Sequence, residues 1–145
     1  MTYRVLDCSV AVGWCFADEA SAAGDALLDR VQADGALVPP LWRLEVANVL
    51  IQAERRGRLS PGGAEERLAM LDFLPIRVDS DGQGPSWRRA VALLARAKTL
   101  TAYDAAYLED AAYLELATRR RLPLASTDRQ LRAAAERHGL SALPA

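Results

Sequence analysis

The chain has 145 residues, of which 51% are hydrophobic and 26% are charged, as expected for one globular domain. Its 18 basic and 19 acidic residues nearly cancel, so any contact with nucleic acid must come from a local basic patch. No apolar run approaches the roughly 20 residues that a membrane span needs, and the N-terminus shows no secretory signal. We therefore expect a single soluble, cytoplasmic domain over residues 1–145.

The first half of the chain predicts short strands separated by longer helices. Strands are expected at residues 3–8, 36–38 and 75–78, and helices from Ser9 onward and at residues 20–33, 41–56 and 60–73. The helices are predicted from apolar residues at helical spacing. Gly57 is a typical stop signal for the third helix, and Ser60-Pro61 is a typical start for the fourth.

The second half continues this alternation after a polar, glycine-rich loop at residues 79–86. Helices are expected at residues 87–98 and 128–138, strands at 122–126 and 140–143, and a repeated helical stretch between them. Strands that alternate with helices predict an α/β fold with a short, mainly parallel sheet. No linker divides the chain.

Four acidic residues fall where sites form in parallel sheets, beyond the carboxyl ends of the strands. They are Asp7, Glu45, Asp104 and Asp128. Asp7 is the hardest to explain otherwise, because an apolar strand rarely tolerates a carboxylate without a partner. Asp128 could instead cap its helix, and Glu45 could be a solvated helix residue.

Converging carboxylates repel one another, and a divalent cation would offset that repulsion. Hard oxygen ligands suit Mg²⁺ or Mn²⁺, and two such ions about 4 Å apart could stabilise both the attacking and the leaving oxygen in phosphodiester hydrolysis. The sequence offers little support for a site based on histidine or cysteine. The single histidine, His138, lies beside a glycine at a predicted helix end, and Cys8 and Cys15 lack metal-type spacing.

Four segments of the chain, in order, resemble the PIN-domain ribonucleases. They are VLDCSVAVGW at residues 5–14, VPPLWRLEVANVL at 38–50, LTAYDAAYLELA read across the repeat from residue 100, and LPLASTDRQL at 122–131. Each segment alone is a weak signal, but together they are specific and span almost the whole chain. The short length and helix-rich first half most resemble the VapC toxins of bacterial toxin–antitoxin pairs.

The resemblance implies a PIN-like three-layer fold and a Mg²⁺- or Mn²⁺-dependent endoribonuclease. It also implies a homodimer and inhibition by a cognate VapB-type antitoxin whose tail fills the active-site groove. Asp7 and the aspartate of the third segment would be the central metal ligands, with Glu45 and Asp128 completing the acidic pocket. The residues that would orient ligands or phosphate are Ser9, Asn48 and Ser126.

RNA must approach such an acidic pocket over positively charged surface. The candidates for contact with the RNA backbone are Arg119, Arg120, Arg121, Arg129 and Arg132. The alternative is that these arginines form only a solvated turn and helix face.

The third segment departs from the family pattern because the hexapeptide Asp-Ala-Ala-Tyr-Leu-Glu occurs twice, at residues 104–109 and 110–115. Deleting either copy makes the match continuous, which indicates a tandem insertion. Six helical residues advance about 240° around the axis and about 9 Å along it, so one straight helix can direct only one of the two aspartates into the pocket.

Two registers of this helix therefore compete. Asp104 takes the site if the N-terminal side of the helix is fixed, and Asp110 takes it if the C-terminal side is fixed. The Tyr-Asp-Ala context and the expected helix start favour Asp104. In a third outcome neither aspartate fits, and the chain folds without cleaving RNA.

Two other functions remain to be distinguished from a ribonuclease. The same fold, made inactive by the insertion, would be a module that dimerises and binds its antitoxin. An unrelated phosphate-handling α/β domain is less consistent with the sequence. The first strand lacks the second aspartate of a haloacid-dehalogenase-type phosphatase, and Lys98, the one lysine, lies on a predicted helix rather than after a late strand as in a receiver.

Overall fold

A computed structural model describes residues 3–80 and 105–145, with side chains in the second range from Asp110 onward. Within these ranges the strands are β1 (Val5–Leu6), β2 (Ala36–Val38), β3 (Ile76–Val78), β4 (Leu124–Ala125) and β5 (Ala142–Leu143). The α-helices are α1 (Cys8–Cys15), α2 (Ala22–Asp34), α3 (Trp42–Arg55), α4 (Gly63–Asp72), α5 (Ala105–Arg120) and α6 (Arg129–Arg137). The predicted helix at 87–98 and the loop beyond residue 80 lie outside the described residues.

The five strands form one sheet in the order β3-β2-β1-β4-β5, and every described pairing is parallel. Val5 of β1 pairs with Leu37 of β2 on one side and with Leu124 of β4 on the other. Because all strands run the same way, their carboxyl ends share one edge. The predicted α/β fold with a short parallel sheet is confirmed.

Helices pack against this sheet and bury its central strands. Val5 and Leu6 of β1 and Leu124 of β4 are fully buried. Helix α5 contacts β1 and β4, while α3 contacts both α1 and α4. The sheet is therefore flanked by helices that shield the middle strands from water, which is why those strands are continuous apolar runs. None of the described helices is long and apolar enough to cross a membrane.

The helix boundaries follow local capping chemistry. Ser21 caps α2 by accepting a hydrogen bond from the amide of Gly24, and Gly35 ends the helix with a φ of 84°. A side chain at Gly35 would also meet the Tyr3 ring, since a Cβ there would lie 2.9 Å from a ring carbon. Only glycine suits both constraints.

Two predicted boundaries were wrong for identifiable reasons. The strand expected at residues 3–8 stops at Leu6, because the extended backbone of Asp7 leads directly into α1. The helix expected from Ser60 begins at Gly63. Its first turn is capped by a neighbouring helix, since the Glu54 carboxylate accepts a hydrogen bond from the amide of Ala64 at 3.1 Å.

Candidate active site

Asp7 lies directly after β1, at the carboxyl edge of the sheet, and only 7% of it is exposed. Its Oδ2 accepts hydrogen bonds from the hydroxyls of Ser9 at 2.6 Å and of Ser126 at 2.7 Å. Ser126 directly follows β4, the parallel neighbour of β1, so the sheet register brings these two residues together. The two donors compensate part of the cost of burying the carboxylate and fix its orientation.

The same two serines hold the segment that follows β4. The Ser126 hydroxyl accepts from the amide of Asp128 at 2.9 Å, and the Ser9 hydroxyl accepts from the amide of Thr127 at 3.2 Å. Asp128 itself is exposed, and its carboxylate accepts from the amide of Gln130 at 2.8 Å as the N-cap of α6. The structure thus brings Asp128 to the edge occupied by Asp7, with its carboxylate used as a helix cap.

Tyr113 of α5 connects Glu45 to the end of β1. This tyrosine is fully buried, and its hydroxyl donates to Glu45 Oε1 at 2.8 Å while it accepts from the amide of Cys8 at 3.2 Å. The amide of Cys8 belongs to the first turn of α1, where it has no partner within the helix. One hydroxyl therefore joins the start of α1, the side chain of Glu45 and helix α5.

Burial raises the pKa of Tyr113 far above its ordinary value, and its electrostatic interactions with Glu45, Cys8 and Asp7 raise that pKa further. Its hydroxyl consequently remains protonated and a donor at any working pH. No role in the site was predicted for this tyrosine from the sequence. A tyrosine hydroxyl on an otherwise apolar helix face usually needs a hydrogen-bond partner when it is buried, and this was the sequence signal for its second role.

Of the two repeat aspartates, only Asp110 lies within the described residues. Asp110 is half-buried on α5, one turn before Tyr113, whereas Asp104 lies outside the described residues. Asn48 is exposed on α3, one turn after Glu45.

Two arginines in the last turn of α5 bind a buried carboxylate of the protein itself. Asp79, which directly follows β3 and is 2% exposed, accepts hydrogen bonds from Arg119 at 2.5 Å and Arg120 at 2.9 Å. Arg119 also bonds Glu115, one turn earlier, at 2.8 Å. Burial by itself raises the pKa of Asp79, but the hydrogen bonds from the two arginines outweigh it and lower that pKa. The sequence predicts Asp79 at the start of a polar, glycine-rich loop.

The other predicted RNA contacts lie on the outside of the molecule. Arg121 and Arg129 are exposed, and Arg121 has a φ of 53° where the chain turns into β4. Arg132 is half-buried and donates to the carbonyl of Ser126 at 2.6 Å. Arg132 therefore supports the backbone beside Asp7.

The described carboxylates do not by themselves form a metal site. Across residues 3–80 and 110–145, no group of three acidic, histidine or cysteine side chains could hold a metal ion. The Tyr113 hydroxyl joins Glu45 to the amide of Cys8, the residue after Asp7. Carboxylate oxygens are the donor type that Mg²⁺ uses, and this ion usually keeps several waters and takes one or two protein carboxylates.

Similarity to known proteins is found in the fold and not in the sequence. No protein-family model matches the chain, and no curated protein matches it. The crystal structure of PAE2754 from Pyrobaculum aerophilum is similar with a TM-score of 0.68 at 20% sequence identity, over 97% of this chain and 89% of that one. VapBC2 from Rickettsia felis, solved bound to a DNA fragment from their promoter, is similar with a TM-score of 0.66 at 9% identity, over 99% and 98%.

The class of structure follows from these two likenesses together with the sheet order. At such low identities a structural match establishes the fold. The chain has a PIN-like α/β fold, with a five-stranded parallel sheet flanked by helices.

Proposed function

We propose that this chain is a Mg²⁺- or Mn²⁺-dependent endoribonuclease toxin of the VapC kind. The observation that supports it most is the buried Asp7 carboxylate, held by hydroxyls from two separate segments at the carboxyl edge of the sheet. Burying a carboxylate is costly, and this one lies where ligand sites form in parallel sheets. The likeness to the VapBC2 structure supports the same assignment.

In this proposal each described residue has a distinct task. Asp7 and one aspartate of the repeat bind the cation, and Glu45 and Asp128 complete the acidic pocket. Ser9 and Ser126 orient Asp7, while Tyr113 holds Glu45. The bound ion would activate a water for attack on phosphorus and neutralise charge on the phosphate.

RNA would reach this pocket over the exposed arginines. Arg121 and Arg129 are the stronger candidates, because Arg119 and Arg120 already pair with Asp79. Asn48, exposed one turn after Glu45, would contact phosphate in this scheme. Such backbone contacts would add affinity without sequence preference.

The proposal includes two protein partners. A cognate VapB-type antitoxin would neutralise the enzyme, as suggested by the fold shared with a VapBC2 complex. A second copy of the chain would complete a homodimer. An RNA-cleaving toxin of this kind would act in the cytoplasm.

The first experiment is Mn²⁺-dependent cleavage of a mixed RNA pool by the purified chain. Asp7→Asn should lower the rate by more than about 100-fold, because it replaces a central ligand rather than a supporting residue. EDTA should abolish cleavage by the unmodified chain. Cleavage that persists in Asp7→Asn would show that a contaminating nuclease, or a different site, is responsible.

The repeat gives a second candidate function specific support. An insertion of six residues beside the site could remove activity and leave an antitoxin-binding module. A chain that lacks one copy of the hexapeptide separates the two functions. Cleavage by both chains supports the enzyme, whereas cleavage by the shortened chain alone supports the inactive module.

A further inference from the structure

A small cavity beside Asp7 offers what the exposed arginines lack, a place where a base could be selected. The cavity has a volume of about 120 Å³ and is lined by residues of α1, of α2, of the turn between them, and by Thr127. We propose that this α1–α2 cavity binds one base of the RNA next to the cleaved phosphate, and that guanine is the base that fits. The link to cleavage rests on the proposed function, whereas base binding can be measured without it.

Thr127 connects the α1–α2 cavity to Asp7. Thr127 lines the cavity, and its amide donates to the hydroxyl of Ser9 at 3.2 Å. That hydroxyl donates in turn to Asp7 at 2.6 Å. Val10 and Gly13, from the helix that starts directly after Asp7, also line the cavity. A nucleotide whose phosphate lies at Asp7 can therefore place its own base, or that of its neighbour, in the cavity.

The walls of the cavity are apolar and include two aromatic side chains. They are formed by Val10, Trp14, Phe16 and Leu28. The indole N–H of Trp14 donates to the carbonyl of Gly24 at 3.0 Å, which fixes the ring in place. A closed apolar cavity of about 150 Å³ takes up benzene, so an open one of about 120 Å³ can hold most of a base ring while the rest lies at its mouth. Aromatic walls suit an unstacked base of single-stranded RNA.

The Phe16 wall is held by an arginine. The guanidinium carbon of Arg58 lies 3.7 Å from the centroid of the Phe16 ring. Arg58 also donates to Glu19 at 2.8 Å and to Asp18 at 2.9 Å. Glu19 lines the cavity as well, so these contacts fix both an apolar wall and a carboxylate. The cavity is therefore largely formed before a ligand binds, which lowers the entropic cost of binding.

The polar groups at the mouth of the cavity select for a base with N–H donors. Asp25 and Glu19 are exposed carboxylates, which only accept hydrogen bonds and which disfavour an anion such as free phosphate. The Ser21 hydroxyl accepts from the amide of Gly24 at 2.9 Å and keeps a hydrogen that it can donate. Guanine carries two adjacent N–H donors, which match a carboxylate, beside a carbonyl oxygen, which matches a hydroxyl. Adenine, cytosine and uracil each lack that pair of donors.

Gly13 offers a way to fill the cavity without changing the acidic site. A Cβ at this position would meet no heavy atom within 4 Å outside its chain neighbours and the backbone of its own helix. Because Gly13 lies inside α1, a larger residue can adopt its backbone conformation and should not weaken the helix. Gly13→Leu should therefore fold and occupy the cavity. Ala26→Leu adds the same side chain at an exposed position of α2 and is the matched control.

Base binding is tested with the four nucleosides and the full chain in EDTA, by following the indole N–H resonance of Trp14. Guanosine should bind at least about 10-fold more tightly than adenosine, cytidine or uridine, because only guanine pairs two donors with a carboxylate. Gly13→Leu should weaken guanosine binding by more than about 10-fold, since the leucine side chain takes the place of the base. Ala26→Leu should bind as the unmodified chain does.

The carboxylate is tested separately with a pair of aspartates on α2. Asp25→Asn should weaken guanosine binding by about 5- to 10-fold, because an amide presents only one acceptor where the carboxylate presents two. Asp29→Asn, one turn further along the same helix and exposed, should bind as the unmodified chain does. Equal loss in both variants would show that the net charge of α2, rather than a contact with the base, is responsible.

The link to cleavage is tested by mapping the ends of the products from a mixed RNA pool with Mn²⁺. The unmodified chain should cut where guanine occupies one fixed position beside the cut. Gly13→Leu should still cut, with that guanine enrichment lowered at least about 5-fold, whereas Ala26→Leu should keep it. Enrichment that survives unchanged in Gly13→Leu would overturn the inference and leave the proposed function standing.

Failure of the inference can be told apart from failure of the proposed function. If the unmodified chain cuts no RNA, the proposed function fails, and guanosine binding that Gly13→Leu removes still supports the cavity as a base site. If the unmodified chain does not bind guanosine, or binds all four nucleosides equally, the guanine site is wrong whether or not RNA is cut.

Discussion

Asp7 depends on two serines that are 117 positions apart in the chain, Ser9 and Ser126. Both donate to the same carboxylate oxygen, and both also accept an amide hydrogen bond from the segment after β4. Each hydroxyl is thus used twice, once as a donor and once as an acceptor. The site is preorganised by residues that would not themselves touch substrate.

Replacing Ser126 tests this arrangement at the scale of one side chain. Ser126→Ala should weaken Mn²⁺ binding roughly 10- to 100-fold, because Asp7 loses an orienting donor. It should also destabilise the fold by about 1–2 kcal/mol, since the amide of Asp128 loses its acceptor. Isothermal titration with Mn²⁺ and urea unfolding measure the two effects. Thr127→Ala, at the exposed neighbouring position, is the control, and an equal effect there would contradict the role of Ser126.

Helix α5 is held at two separate points by different chemistry. The buried hydroxyl of Tyr113 joins it to α3 and to the start of α1. Nearer its end, Arg119 and Arg120 bind the buried carboxylate of Asp79, after β3. The described part of α5 is therefore fixed against α1, α3 and the residue after β3.

The ion pairs at Asp79 predict a specific dependence of stability on pH. Asp79→Asn should destabilise the protein by about 1–3 kcal/mol at pH 7, because two charge-assisted hydrogen bonds are weakened. The two arginines lower the pKa of Asp79, so its contribution is present above the ordinary aspartate pKa and is lost as pH falls through the lowered value. The difference in unfolding free energy between Asp79→Asn and the unmodified chain should therefore shrink toward pH 3.

Urea unfolding of both proteins from pH 7 down to pH 3 measures that difference. Asp72→Asn changes an exposed aspartate on α4 and should leave stability unchanged within about 0.5 kcal/mol. A difference between Asp79→Asn and the unmodified chain that stays constant down to pH 3 would show that the Asp79 charge is not what stabilises α5.

The molecule as a whole is one parallel sheet with helices against it, and its site is assembled from distant parts of the chain. Asp7, Glu45 and Ser126 come from three segments, and α5 adds Tyr113. Within the described residues, the second copy of the repeat packs through Ala111, Tyr113 and Leu114.

Removing one hexapeptide should therefore leave the fold intact. We expect the shortened chain to keep the helical circular dichroism per residue of the full chain and a Tm within about 4 °C of it, because the remaining identical hexapeptide can make the contacts that the second copy makes here. Thermal and urea unfolding of the two chains measure this. A shortened chain that fails to fold would show that both copies contribute to the core.

Much of the fold and part of the site could be predicted from the sequence. Alternating strand and helix patterns predicted the parallel α/β sheet, and the carboxylate in an apolar strand identified Asp7. The start of α4 was missed because its cap, Glu54, belongs to another helix. Asp79 was missed because nothing local distinguishes a solvated aspartate from one that binds two arginines 40 positions away.

By itself, the sequence determined the class of fold and the acidic character of the site. The spacing of hydrophobic residues, and the succession of strand and helix patterns, can be read from local stretches of the chain. Only the tertiary structure shows the partners of the second copy of the repeat. Identical hexapeptides have identical intrinsic propensities, so neither is preferred locally. The partners of Tyr113, and those of Arg119 after the repeat, lie far away in the sequence.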